Sequence, residues 1–456
     1  MKKVLLGTTA LAALAFCSAG AYAQEPTPTP ANSADQPIKV ALDGYYVIGY
    51  GAFVQQGDKP GQAGYKRQTD GFQEDSRINV RGSTKLANGL EVGLRVQIRG
   101  ENNGGGSNSS DAVAQNYVYF KNADFGELRL GDTPAVNILM GYQAPQVDSN
   151  LGFGTNTPSV SFVNGPVGSN TTTEAIASKA TKFVYFTPRF DGFQLGVSYA
   201  PNGRKASTFG STNAGTAYYN IGTGDGSSYR DEAGIGANWK GQIGDVNLGF
   251  EGHYVQAASK QGTGAYPLDS KGNPIPGVTG GDADPRIMGG GMQLGYGPWS
   301  FGGAYERSQA IGPGTFIGSY QLPGSTAQIN VLPANVLNGS VNHEINQTFD
   351  VGVAYTVGPW RYGLAWSRGE YKGIVDGGNR TPKNNIVVGG ASYEVGPGIT
   401  LVGLVQFNDY DADGAAYAQP TNGSDAVTLK NGKQGSYYYS KGFDSTALIV
   451  GTNIQF

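Results

Sequence analysis

The chain has 456 residues, a formal net charge of −3, 73 glycines, 27 tyrosines and only 4 methionines. Charged residues make up 15%, against about 25% for soluble proteins, and no basic excess is present to hold nucleic acid. The single cysteine, Cys17, lies near the N-terminus, so disulfides, thiolate nucleophiles and cysteine-ligated metals are excluded from everything after it.

The chain opens on Met1-Lys2-Lys3, continues with an apolar run over 4–16 and reaches Ala21-Tyr22-Ala23. A basic start, an apolar stretch too short to span a bilayer and a small-x-small site, in that order, predict a signal peptide over 1–23, cut before Gln24. Cys17 follows Phe16, where lipidation calls for a small residue. Loss of Lys2 and Lys3 takes the net charge from −3 to −5. Residues 24–36, rich in Pro, Thr and Ala, hold no large apolar side chain and read as a disordered tether. The rest, 37–456, reads as one domain, with no internal linker and no apolar run long enough for a transmembrane helix.

What this domain shows is a two-residue alternation. In 90–99, Leu90, Val92, Leu94, Val96 and Ile98 alternate with Glu91, Gly93, Arg95, Gln97 and Arg99. Successive side chains of a strand point to opposite faces, so the segment has an oily face and a wet face. The same holds for 246–254, 349–357, 360–367 and 448–456. Strands are predicted at 42–54, 74–86, 90–100, 112–122, 127–132, 181–188, 193–200, 231–240, 246–257, 286–296, 299–307, 346–357, 360–370, 385–395, 399–410 and 443–456. Seven short connections join fourteen of them in pairs, leaving the first and the last: Asn88-Gly89, 123–126, 190–192, 241–245, Gly297-Pro298, Gly358-Pro359 and 396–398. Long polar stretches fill the other connections. An even count near sixteen, with short turns at one end and long loops at the other, is the plan of an all-β, antiparallel transmembrane barrel. The wet face carries Arg, Glu, Asn and Gln, too polar for a packed core but suited to an aqueous interior. Residues 296–308 and 357–369 echo one another, and Tyr296, Trp299 and Trp360 beside the turns suit an aromatic girdle.

Three stretches carry a family resemblance. They are Ser76-Arg77-Ile78-Asn79-Val80-Arg81-Gly82 with Leu86-Ala87-Asn88-Gly89-Leu90, then 115–120 with Asp124-Phe125-Gly126-Glu127-Leu128-Arg129-Leu130-Gly131, and the terminal Phe456. By these the chain resembles the trimeric sixteen-stranded general porins of Gram-negative bacteria over essentially all of 37–456. The resemblance implies an outer-membrane address, a homotrimer in outer-membrane lipid, and passive diffusion of small hydrophilic solutes and ions. It implies recognition of Phe456 by the barrel-insertion machinery. It also implies that the third loop, 133–180, folds into the barrel and narrows it. Two departures stand out: the acidic Pro-Glu-Phe-Gly-Gly-like motif usual in that loop is absent, and the proline-rich start is not general in the family.

Arg77 and Arg81 alternate with Ile78 and Val80, Arg95 and Arg99 with Val96 and Ile98, and Arg129 sits between Leu128 and Leu130. An arginine facing lipid at midplane costs about 2–4 kcal/mol, so all five are expected inside. With Asp148 and Glu174, the acids of the third loop, they form the expected constriction, biasing ion passage unless Glu91, Glu101 and Glu127 neutralise them. A channel specific for a sugar or an anion shares these features, and a ladder of aromatic or basic residues along the pore would distinguish it. An outer-membrane barrel enzyme needs a histidine beside its nucleophile, but His253 and His343 lie in no recognisable catalytic motif. Asp409, Asp411 and Asp413 alternate in what reads as a loop, yet no glutamate follows at the spacing of a calcium loop. No cofactor and no metal is expected.

Overall fold

The computed structural model describes residues 37–55, 69–100, 113–147, 170–173, 175–177, 179–203, 205, 229–259, 284–309, 318–321, 328–331, 345–371, 383–411, 415–419, 427–428, 434–440 and 443–456. The signal and tether segments, Asp148, Glu174, Glu101, His343 and Asp413 lie outside them.

Five strands come first: β1 (Lys39–Gln55), β2 (Asp70–Lys85), β3 (Glu91–Arg99), β4 (Val113–Asn122) and β5 (Gly126–Asp132). A single helical turn, α1 (Val136–Met140), opens the third loop. Then come β6 (Thr181–Phe186), β7 (Phe193–Asn202), β8 (Tyr229–Ile243), β9 (Val246–Ser259), β10 (Arg286–Tyr296) and β11 (Trp299–Gln309). Two short strands, β12 (Gly318–Gln321) and β13 (Gln328–Val331), pair with each other in a long loop. The barrel resumes with β14 (Ile345–Val357), β15 (Trp360–Tyr371), β16 (Lys383–Gly396) and β17 (Ile399–Asp411). A small sheet of β18 (Ala415–Gln419), β19 (Val427–Thr428) and β20 (Gln434–Ser440) precedes the closing strand β21 (Phe443–Gln455).

Sixteen strands, β1–β11, β14–β17 and β21, form one closed antiparallel barrel. Closure pairs β1 with β21 from Tyr45–Gln455 to Gln55–Thr446, and Phe456 exchanges backbone hydrogen bonds with Gly44. A closed barrel satisfies each strand on both edges, which lipid demands because no water is there to do so. Among the described residues no helix is long and apolar enough to cross a membrane; the strands do the crossing.

The sixteen expected strands match these within a few residues, and so do the seven short turns. Gly297 and Gly358 carry φ of 54° and 55°, the left-handed region that glycine enters freely, at equivalent places of the echoed hairpins. One turn is tighter than expected: β8 runs through Ile243, leaving Gly244-Asp245 rather than 241–245 as the connection. The loop strands β12, β13 and β18–β20 were not legible.

The outward face is apolar. Phe193, Leu195, Ile235, Leu364 and Val450 are about half exposed, as lipid-facing side chains must be without lipid. Near the turns, Trp299 packs on Tyr355 at 4.6 Å, Trp360 on Tyr393 at 4.7 Å and Trp239 on Phe250 at 5.4 Å between ring centres. This is the girdle expected at a membrane interface.

Candidate functional site

The lumen has two unlike walls. On β2–β5 the strand parity turns Arg77, Arg81, Arg95, Arg99 and Arg129 inward, as the alternation requires. Cross-strand register sets Arg77 opposite Arg99 and Arg81 opposite Arg95. Like charges directly opposite destabilise a sheet unless something intervenes. Here carboxylates of the same wall do. Arg77 pairs with Asp75 at 2.9 Å and Arg81 with Asp43 at 2.7 Å. Arg129 pairs with Glu127 at 2.6 Å, its guanidinium 5.3 Å from the Tyr117 ring centre. Arg95 donates from Nε and Nη2 to Asn79 Oδ1 at 3.1 and 3.0 Å, and Gln97 donates to the same oxygen at 3.0 Å. Among the described residues Arg99 has no ion pair, and its Nε is buried without an acceptor.

The arginines are therefore less exposed electrostatically than sequence suggested. Of the three glutamates considered as partners, Glu127 pairs and Glu91 instead accepts the Tyr119 hydroxyl at 2.8 Å. The acids that matter more are Asp43 and Asp75, which sequence reasoning did not single out. Their inward parity was readable; their register against β2 was not.

The other wall is covered from inside by the third loop. Its outgoing limb, 133–147, crosses strand after strand. The Val136 amide approaches Ser198 Oγ at 3.4 Å. Val136 and Met140 pack with Val184 and Phe186. The Ala144 amide donates to Asp350 Oδ1 at 2.7 Å. Gln293 donates to the Gln143 carbonyl at 2.6 Å, Arg361 to that of Gln146 at 2.8 Å and Ser392 to that of Val147 at 2.8 Å. Glycines make room for this path. A Cβ at Gly363 would stand 2.5 Å from Val147 N, and one at Gly291 2.6 Å from the Tyr142 carbonyl.

The returning limb is tied at the same places. Thr172 donates to Asp350 Oδ2 at 2.7 Å, so Asp350 holds both limbs. Asn170 donates to Ser367 Oγ at 3.1 Å and to the Asn384 carbonyl at 2.9 Å. The Ala177 amide donates to Glu232 Oε2 at 2.7 Å, and Lys182 joins Glu232 at 2.8 Å in a fully buried pair. The third loop thus folds inward, as the resemblance implied. Lys179 of this limb lies within electrostatic reach of Arg77 and Arg99. Burial and those two cations push its ammonium down to about 8.

Two expectations change. The inner face is not polar throughout: Val47, Ile386, Val388, Val402, Leu404, Ala447 and Ile449 cluster there with Val147 of the loop. And Asp409 and Asp411 stand on β17, not in a loop. His253 is an interior strand residue as expected, 3.0 Å from Glu251 and 3.4 Å from Glu306. Among the described residues no cluster of His, Cys, Asp and Glu could hold a metal ion.

A closed barrel of sixteen strands, apolar outside and narrowed inside by its own third loop, defines a transmembrane channel. Residues 9–413 match the Gram-negative porin family, and the chain belongs to that family. It forms a passive outer-membrane channel; family and fold speak for a channel rather than an enzyme. No curated protein matches the chain in sequence. Among solved structures, the outer membrane channel DcaP of Acinetobacter baumannii is similar at 12% identity, with 92% of this chain and 97% of that one covered and a TM-score of 0.51. An anion-selective porin from Comamonas acidovorans has 16% identity, 92% and 100% coverage and a TM-score of 0.49. OmpT of Vibrio cholerae, in trimer form, has 11% identity, 92% and 100% coverage and a TM-score of 0.47.

Proposed function

We propose that small hydrophilic solutes and ions pass between the arginine wall of β2–β5 and the infolded loop, and that this passage favours anions. The observation that carries the reading is the register that sets Arg77 opposite Arg99 and Arg81 opposite Arg95 across two strands, with Arg99 lacking a carboxylate among the described residues and Lys179 within its electrostatic reach. Charges in a narrow, low-dielectric channel act over a Debye length of about 10 Å at 0.1 M salt. Asp148 and Glu174 belong to the constriction in this reading, as the acids of the opposing loop. Reversal potential under a salt gradient across a planar bilayer tests it: anion preference supports the proposal, and cation preference sinks it.

The remaining features follow the same family logic. Residues 1–23 export the chain and are cleaved, and 24–36 tether the barrel, which begins after residue 36. Phe456 is the signal for barrel insertion, and three copies associate in outer-membrane lipid. The folded protein then migrates as an oligomer until boiled, and a monomeric unboiled species would refute the trimer.

A further inference from the structure

The third loop, 133–180, holds one basic residue, Lys179. Within its electrostatic reach are the cations Arg77, Arg99 and Lys205, and Asp75 acts against them. Like charges repel, so a lysine on a free loop end would turn away from such neighbours. What holds it lies on either side, at Ala177 and Lys182.

Lys182 Nζ meets Glu232 Oε1 at 2.8 Å, the two side chains 0% and 2% exposed. Topology lets them meet. Lys182 is on β6 and Glu232 on β8, and β7 between them places Ala200 opposite Glu232. Ala200 packs with Ala177 and Ala180, and these small side chains leave room for two long ones. The start of β8 is shaped for the contact. Its register against β9 slips between Arg230 and Ala233, and Asp231 takes a φ of 53°, its carboxylate accepting the Tyr199 hydroxyl at 2.9 Å. A bulge re-aims side chains: Arg230 and Asp231 are both exposed, while Glu232 is buried.

The pair also takes both backbone groups of Ala177. Glu232 Oε2 accepts the Ala177 amide at 2.7 Å, and Lys182 Nζ donates to the Ala177 carbonyl at 3.3 Å. The Ala180 amide donates to the same carbonyl at 2.9 Å. Desolvation offsets much of the attraction within a buried ion pair, so such a pair is weak support for stability. Two apolar side chains could fill the same space. They could not supply an acceptor and a donor to the buried peptide groups of Ala177. Lys179 falls between residue 177, held in this way, and residue 182, which does the holding.

We propose, resting on the anion preference argued above, that the buried Lys182–Glu232 pair positions Lys179 for ion selection: it clamps the end of the third loop and keeps that ammonium within reach of Arg77 and Arg99. Lys182 and Glu232 are positioning residues. Being buried, they meet no permeating ion, and they act through Lys179.

The test measures reversal potential under a salt gradient across a planar bilayer at pH 7, with the refolded mature chain. The variants are Lys182→Met/Glu232→Leu, Lys179→Met, and the two combined. Replacing both partners leaves the net charge unchanged, so a shift in selectivity reports position rather than charge. The pair variant should shift toward cations by roughly half or more of the shift given by Lys179→Met. In the Lys179→Met background the pair replacement should add nothing, as non-additivity requires of residues that act through one another. A merely structural pair would lower the unfolding temperature and leave the reversal potential alone. The gel shift on heating shows whether the pair variant is folded; if it is not, Lys182→Gln/Glu232→Gln takes its place, with a shift in the same direction. The parent's own reversal potential tests the anion preference separately, since the coupling between the pair and Lys179 is read as a difference between variants whatever the parent's sign. A folded pair variant with the parent's reversal potential, or an equal shift with and without Lys179, would each overturn the proposal.

Discussion

The two walls of the lumen are built on one strand pattern and solve opposite problems. On β2–β5 the inward positions carry arginines whose charges are held apart by Asp43, Asp75, Glu127 and the amides of Asn79 and Gln97, and this wall stays open toward the pore. On β7–β11 and β14–β16 the inward positions carry glycines and a few buried carboxylates, and the wall is spent on holding the third loop. The lesson is that polar inward residues have two uses. A charge paired along its own wall leaves its field in the channel, while a carboxylate such as Asp350 or Glu232 is consumed by backbone amides and organises packing.

The sharpest way to break this contrast is to remove what the second wall holds. Deleting residues 150–172 should leave a folded barrel, since the strands close without them, and should raise single-channel conductance by roughly half or more, because the narrowest cross-section limits flow. Unchanged conductance in a folded deletion would mean that the loop does not set the pore.

A single residue should weaken the same attachment. Asp350 accepts from the Ala144 amide, the Thr172 hydroxyl and, at 3.1 Å, the Ala304 amide. Hydrogen bonds to a charged group contribute about 1.5–3 kcal/mol each, and removing the acceptor leaves buried amides unmatched. Asp350→Ala should cost about 3 kcal/mol by thermal unfolding and add low-frequency noise to the open-channel current. Asp43→Ala, on the other wall, should leave the noise unchanged. Equal noise in both variants would erase the distinction between the walls.

Most of this architecture was legible because parity is a local property. Alternation alone turned Arg77, Arg81, Arg95, Arg99 and Arg129 inward, and the Gly-Pro turns located the hairpins. Register is not local. That Asp43 meets Arg81, or that Arg77 faces Arg99, depends on how many residues each strand slides past its neighbour. The path of 133–147 was hidden for a related reason: its anchors are single wall residues more than forty positions away. The apolar inner sector escaped notice because Ile386, Val388, Val402 and Leu404 alternate with residues equally apolar or small, and such strands do not declare their faces.

On the open wall the expected effect is smaller. Replacing Arg81 and Arg95 by Gln should shift the reversal potential toward cations at low salt, and the shift should shrink as salt rises. Arg81 is paired with Asp43, so the double variant also leaves Asp43 uncompensated, which adds to the shift in the same direction. A reversal potential equal to the parent's would make these arginines mere wall.

The finest test turns on Lys179, the loop's contribution to the open wall. Its ammonium is lowered from 10.5 to about 8, first by burial and then by Arg77 and Arg99; Lys205 acts in the same direction and Asp75 opposes. Below pH 7 the group is charged and adds to the arginine field. Through pH 8 it loses its proton, so anion preference should fall between pH 7 and 9 by a fraction of the effect of the Arg81/Arg95 replacement. Stability moves the other way. Between about 8 and 10.5 the unfolded chain keeps a proton that the folded one has released, so this group makes folding more favourable as pH rises across that window. Lys179→Met should hold selectivity flat from pH 7 to 9 at the parent's high-pH value. A variant that keeps the parent's pH dependence would assign it to another group and remove Lys179 from the pore.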